Sequence, residues 1–248
     1  MSENVRAWTE IVFNLTYLVV VWGLVIAMLR RREQVPPKAR PVARLFILAF
    51  GLLALGDTGH VGFRALGFLM GNLHQEVELL GMSVSLVGLG SLSTAFTLTF
   101  FYVTMLLIWH ARFEKPYGWF GVLLFVAGAV RLVLLALPQN QWSRGVRVQP
   151  WSLLRNLPLI VQGLGVAYLI MRDALADDDR LFKWVGICIL ISYGFYLPVV
   201  FLLERAPLLG MLMIPKTIAY VAIAWLVYTH LFHRPAAVER EAQAGALS

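Results

Sequence analysis

Seven apolar stretches, most of about 20 residues or more, take up almost the whole chain: roughly Trp8–Leu29, Val42–Met70, Leu79–Ile108, Trp119–Leu137, Leu153–Met171, Leu181–Leu203 and Leu208–Phe232. A helix of about 20 apolar residues crosses the hydrocarbon layer of a bilayer. Within that layer no water is at hand for exposed backbone groups, so runs of this kind are obliged to be helical. The expectation is an all-α, polytopic membrane protein: a single seven-transmembrane-helix bundle over residues 1–233 and a disordered tail at 234–248, which lacks apolar periodicity.

Composition agrees with this reading. Of 248 residues, 59% are hydrophobic and 14% charged, with a mean hydropathy of +0.73, whereas soluble domains carry about a quarter charged residues. Most connections of about a dozen residues or fewer leave no separate lobe with a core of its own. The first run reads as a permanent helix: it is long, lacks a small-residue cleavage motif, and is followed by Arg30-Arg31-Arg32. The single cysteine, Cys188, lies inside the sixth run and excludes an intrachain disulfide.

The net charge of +7 does not point to nucleic acid, because the basic residues are sorted by loop and form no basic face interleaved with aromatics. The bilayer is the expected partner. Alternate connections hold Arg30, Arg31, Arg32, Lys38, Arg40, Arg44, Arg112, Lys115, Arg172, Arg180, Lys183, Arg234 and Arg240 on one side, against Arg6, Arg144, Arg147, Arg155 and Arg205 on the other. By the positive-inside rule the N-terminus faces outside and the C-terminus the cytoplasm, in the cell (inner) membrane. The linker "RRREQVPPKARP" is solvated and placed to touch anionic head groups. In "RDALADDDRLFK", Asp177-Asp178-Asp179 read as a helix start in preference to a cation site. Nothing in the chain sets an oligomeric state.

Ionisable residues inside the spans are costly and normally face the bundle interior. In "GDTGHVGFR", Asp57, His60 and Arg64 stand at i, i+3 and i+7, one stripe of a helix. Lys216 follows Pro215 in the seventh span with Tyr220 one turn on. Tyr193, Tyr196 and Glu204 share a face of the sixth span, Arg155 and Gln162 with Asn156 beside them lie on the fifth, and Arg131 is in the fourth. Asp57 lies near mid-layer and the others fall in the same half. Two readings compete: a clamp that ties helices together, or an outward-facing polar pocket in which the excess of basic groups selects a small anionic or amphipathic guest. A lysine stripped of water there either sheds its charge and becomes nucleophilic or pairs with a carboxylate such as Asp57 or Glu204. The small and hydroxyl residues Ser83, Val87, Gly90, Thr94, Thr97 and Thr104 of the third span read as a packing seam. His110, His230 and His233 have no Cys or carboxylate at ligand spacing, so neither a metal nor a cofactor is expected.

Seven spans, an outer N-terminus, a lysine in the last span and "YLPVVFLL" in the sixth resemble the microbial rhodopsins. The resemblance covers two spans and implies retinal held as a Schiff base on Lys216, with Asp57 as counter-ion. This chain departs from that pattern at Leu212, four residues before Lys216, where the family carries an acid, and in a third span without the family's charged residues.

The leading functional expectation is a receptor or transporter, with Arg64, Arg131, Arg155, Asn156, Gln162, Tyr193, Tyr196, Glu204, Lys216 and Tyr220 as ligand-binding residues. The alternative is an intramembrane enzyme on a lipid or isoprenoid-type substrate. There Asp57 and His60 would supply acid/base chemistry, and Arg64 or Lys216 would steady developing negative charge.

Overall fold

The computed structural model describes residues 3–70, 76–79, 82–145 and 148–233; the tail expected at 234–248 lies outside them. Among the described residues seven helices are long and apolar enough to cross a membrane. They are α1 (Glu3–Arg31), α2 (Arg40–Leu69), α3 (Leu86–Phe113), α4 (Gly118–Ala136), α5 (Trp151–Ala176), α6 (Arg180–Leu202) and α7 (Met213–Val227). The seventh span is composite, with a 3-10 segment Pro207–Leu212 leading into α7 and a π-helical turn Tyr228–His233 ending it. Pro215 therefore falls in the first turn of α7, where a missing N–H costs no helical bond. The outward faces leave large apolar side chains uncovered, with Val19 at 74% and Val133 at 63% exposed. Water-soluble surfaces do not carry apolar patches on this scale. The protein is a multi-pass integral membrane protein.

Contacts at the helix ends define two faces. At one, Arg31 donates to Nδ1 of His233 at 2.6 Å, Arg112 meets Asp179 at 2.7 Å, and Lys115 meets Asp173 at 2.9 Å. This is the basic end, where the arginine- and lysine-rich connections gather. At the other, Asn140 accepts from Arg155 at 2.9 Å and the 142–145 turn packs on the start of α3. A two-stranded antiparallel hairpin precedes α3 there, β1 (Glu76–Leu79) and β2 (Met82–Ser85), in the register Glu76↔Ser85 to Leu79↔Met82. The third span thus begins at Leu86, not at Leu79 as the hydropathy suggests. In "EVEL" charge and apolar character alternate with the period of a strand, and both glutamates are exposed, which a transmembrane helix would not permit.

The basic-end half of the bundle is an aromatic core. Phe46 meets Phe182 at 5.9 Å between ring centres, Phe50 meets Phe101 at 6.0 Å, and Phe113 meets Phe182 at 5.4 Å. The buried carboxylate of Asp173 on α5 closes this half. It accepts from Trp109 Nε1 at 2.7 Å and from Lys115 and its neighbour Arg172 at 2.9 Å. The acidic run after α5 is a helix start: Asp179 caps α6, accepting from the Phe182 N–H at 3.1 Å. Asp178 has a left-handed backbone (φ 52°) and pairs with Lys183, which holds its carboxyl below the ordinary range. That pair is exposed to solvent and adds little stability.

The most extensive helix pair is α2 with α3, and its seam is built from small residues as the sequence suggests. Gly90 lies against the backbone of His60. At Gly56 a Cβ would fall 1.8 Å from Thr97 Oγ1 and 3.3 Å from Cα of Thr94, so any side chain there pushes the helices apart. Overpacking of this kind costs about 1–3 kcal/mol, or roughly 2–4 °C in Tm per kcal/mol for a chain of this size. Gly56→Val is expected to lower the thermal unfolding midpoint accordingly. Gly51→Ala, where nothing lies within 4 Å of the new carbon, is expected to leave it unchanged or raise it, as read by a thiol-reactive or light-scattering melt.

Candidate functional site

The hairpin-end half is polar where the other half is aromatic. α4, α5, α6 and α7 each turn a polar group inward, and α3 adds a tyrosine. Arg131 of α4 is 2% exposed, and its Nε and Nη1 have no hydrogen-bond partner. Its charge is felt by Tyr102, Tyr193, Tyr196, Tyr220 and Lys216 in the same half of the bundle. Gln162 of α5 is fully buried with both amide atoms unpartnered, as is the hydroxyl of Ser192 on α6. The amide of Gln162 is seated against the bare backbone of Gly128, 2.7 Å from where a Cβ would stand. Gly128 is three residues before Arg131 and so on the same face of α4.

The tyrosines are anchored by their hydroxyls. Tyr193 donates to the Leu159 carbonyl at 2.8 Å, Tyr196 to Asn156 Oδ1 at 2.9 Å, and Tyr102 and Tyr220 bond each other at 2.6 Å. Lys216, 8% exposed, makes no ion pair with Asp57 or Glu204, one of the two alternatives the sequence left open. Its ammonium lies over aromatic faces, 4.5 Å from the centre of Tyr196 and 5.8 Å from that of Tyr220. Such cation–π contacts are worth about 2 kcal/mol when desolvated. Leu98, Leu159, Ser192, Tyr193, Tyr196, Lys216 and Tyr220 enclose a gap with about 150 Å³ of space outside atoms, too finely divided to seat a water.

The stripe on α2 stands beside this cluster. Asp57 accepts from the Tyr17 hydroxyl of α1 at 2.6 Å and from Thr94 of α3 at 3.5 Å, and it feels the charge of Lys216. His60 is half-buried, with its Nδ1 covered and unpartnered. Arg64 is exposed near the end of α2, and Glu204 is exposed in the turn after α6. Neither joins the interior. Arg155 stacks on Trp142 at 4.3 Å and bonds Asn140, so it braces the connection after α4. Four of the sequence-derived positions, Tyr193, Tyr196, Lys216 and Tyr220, line this one gap, and Arg131 and Gln162 are buried in the same half of the bundle. Asn156 supports them from behind.

Sequence reasoning passed over Tyr102, Ser192 and Tyr17. Tyrosine and serine in an apolar run are ordinary packing residues, and the one available signal was the i, i+4 spacing of Ser192 with Tyr196 and of Leu98 with Tyr102. Among the described residues no three His, Cys, Asp or Glu side chains gather to hold a metal; His110 donates to the Lys115 carbonyl and His230 to that of Leu226.

Gly163 is what lets Tyr193 reach its acceptor: a Cβ there would lie 1.8 Å from the tyrosine oxygen and 2.2 Å from Cζ. Gly163→Ala is expected to cost about 1–3 kcal/mol by overpacking. Most of that cost is expected to disappear in the Tyr193→Leu background, giving a coupling energy of about 1 kcal/mol or more in a double-mutant cycle of unfolding. Strictly additive effects would show that Tyr193 does not occupy this position. No family model, curated protein or solved structure matches the chain, and its chemistry is read from these side chains alone.

Proposed function

We propose that this membrane protein is a receptor or transporter that binds a small anionic or amphipathic molecule among α3–α7, in the half of the bundle opposite the basic end. The observation that carries this reading is the guanidinium of Arg131, buried with two nitrogens that lack acceptors. A charged group deprived of water is held at a cost of several kcal/mol unless something answers it. The carboxylate nearest the cluster, Asp57, is already engaged by Tyr17 and Thr94. A second cation, Lys216, shares the cluster, so an anion is the guest that relieves both. The positive-inside rule assigns the basic end to the cytoplasm and the site to the external half. Pro158 of α5 and Pro198 of α6 each lie within four residues of a cluster residue and each remove one backbone hydrogen bond. These weakened turns suit a closed gap that must part to admit a guest.

Acid/base catalysis at Asp57 and His60 draws less support. No nucleophile–base bond is assembled there, since the phenol of Tyr17 occupies Asp57 and His60 Nδ1 has no partner. Retinal on Lys216 draws less support as well: the ammonium lies over the rings of Tyr196 and Tyr220, and the counter-ion it would need, Asp57, is bonded by Tyr17 and Thr94.

Native mass spectrometry of the full chain released from mild detergent tests the proposal. A small acidic adduct is expected on the unaltered protein and on Arg64→Ala, and is expected to be lost from Arg131→Met. Its retention by Arg131→Met overturns the reading. So does its absence from the unaltered protein together with no rise in Tm in hexanoate.

A further inference from the structure

Residues four apart on α3 mark out a line of ionisable groups contributed by its neighbours. Gly90 lies against the backbone of His60, Thr94 reaches Asp57 at 3.5 Å, Leu98 borders the gap that holds Lys216, and Tyr102 bonds Tyr220 at 2.6 Å. Residues spaced in this way stand one above another on a helix. Thr94 and Leu98 are roughly 6 Å apart along the axis, so Asp57 stands about one helical turn from the gap of Lys216. Each of the two feels the other's charge, although no ion pair joins them.

Asp57 is held unevenly. One carboxylate oxygen accepts from Tyr17 of α1 at 2.6 Å. The other has only the Thr94 hydroxyl at 3.5 Å, which it shares with the Gly56 carbonyl at 3.0 Å. A carboxylate has room for about four such bonds. Charge answered this incompletely away from water is relieved by taking a proton, and Asp57 is partly exposed, which leaves a proton a way in.

The ionisable groups that face Asp57 are Tyr17 of α1, Lys216 and Tyr220 of α7, and His60 one turn along α2 itself, while α3 offers hydroxyls only. Of these Lys216 is the interior cation, and it also feels Arg131. Ionised Asp57 offsets part of that positive charge and so competes with an anionic guest. A proton on Asp57 removes the competitor. Linkage then requires the guest to strengthen proton binding at Asp57 by the same factor.

We propose that the guest is taken up together with a proton, with Asp57 the group that binds the proton and Lys216 the cation it sets free for the anion. This rests on the anion-binding reading given above.

The test is calorimetric titration of the full chain in lipid nanodiscs with hexanesulfonate, whose own charge does not change with pH, at about pH 5 and about pH 8. Empty nanodiscs serve as the blank, and infrared spectra of the same samples follow carboxyl protonation. Hexanesulfonate is expected to bind at least about 10-fold more tightly at the lower pH. A carbonyl band of a protonated carboxyl is expected to grow as pH falls, and to appear at higher pH once hexanesulfonate is bound. Asp57→Asn is expected to lack that band and to bind hexanesulfonate alike at both pH values, at the tighter affinity. His60→Gln is expected to keep the pH dependence. Equal affinities at the two pH values on the unaltered protein overturn the proposal without recourse to any variant, and so does a pH dependence that survives in Asp57→Asn. Its loss in His60→Gln assigns the proton to His60 and overturns the proposal too. Hexanesulfonate bound at neither pH above the level of Arg131→Met overturns the anion-binding reading itself, a different result from an anion that binds without regard to pH.

Discussion

Two positive charges enclosed by helices, out of reach of water, set the terms for half of this bundle. An ammonium or guanidinium moved into a low-dielectric interior loses hydration worth several kcal/mol even after relaxation. Arg131 and Lys216 bear that loss within one cluster. What offsets it is the negative face of two tyrosine rings at 4.5 and 5.8 Å from Lys216 and the field of Asp57. The rings must in turn be held still. Hence every tyrosine hydroxyl of the cluster is tied, to the carbonyl of Leu159, to the amide of Asn156, or to another tyrosine. Four helices are positioned by this one requirement, and two nitrogens of Arg131 remain unanswered. For stability alone apolar residues of similar volume would serve as well or better, which is the ground for proposing a guest there.

The bundle divides along its length. Toward the basic end, phenylalanine rings interlock across α2, α3 and α6, and Asp173 draws Trp109, Lys115 and Arg172 onto α5. Close packing of this sort resists deformation. Toward the hairpin end, α5 and α6 carry Pro158 and Pro198 and the seventh span begins as a 3-10 segment. Each feature removes or weakens helical hydrogen bonds beside the polar cluster. A firm half and a yielding half are what a protein needs if it admits a small molecule from one side without parting the whole bundle.

Particular residues show how much of this was legible in the chain. The depth of Arg131, Gln162, Tyr193, Tyr196, Lys216 and Tyr220 could be counted from the span ends, and four of them, Tyr193, Tyr196, Lys216 and Tyr220, line one gap. The same counting placed Arg64 and Glu204 with them and failed, because depth along a helix says nothing about cover at its end. Residues 64–66 of α2 are all exposed, and Glu204 has left the helix altogether. The hairpin at Glu76–Ser85 was hidden inside a hydropathy average. Asp173 looked like one acid among several in "RDALADDDR", yet it alone of that group is buried against a tryptophan.

Spacing and hydropathy by themselves settled that seven helices of membrane length form and that α3 offers a small-residue seam, since both follow from local period and from the cost of an unbonded backbone in lipid. They also determined that several charged groups must turn inward. Which groups meet was decided only by tertiary packing: Lys216 rests on tyrosine faces and not on Asp57, Asp57 is taken by Tyr17 forty residues away in sequence, and Gln162 is pressed against Gly128. Partner choice of that kind depends on how each helix is rotated against its neighbours. That rotation is set by the bulk of side chains on other helices, which no single stretch of chain contains.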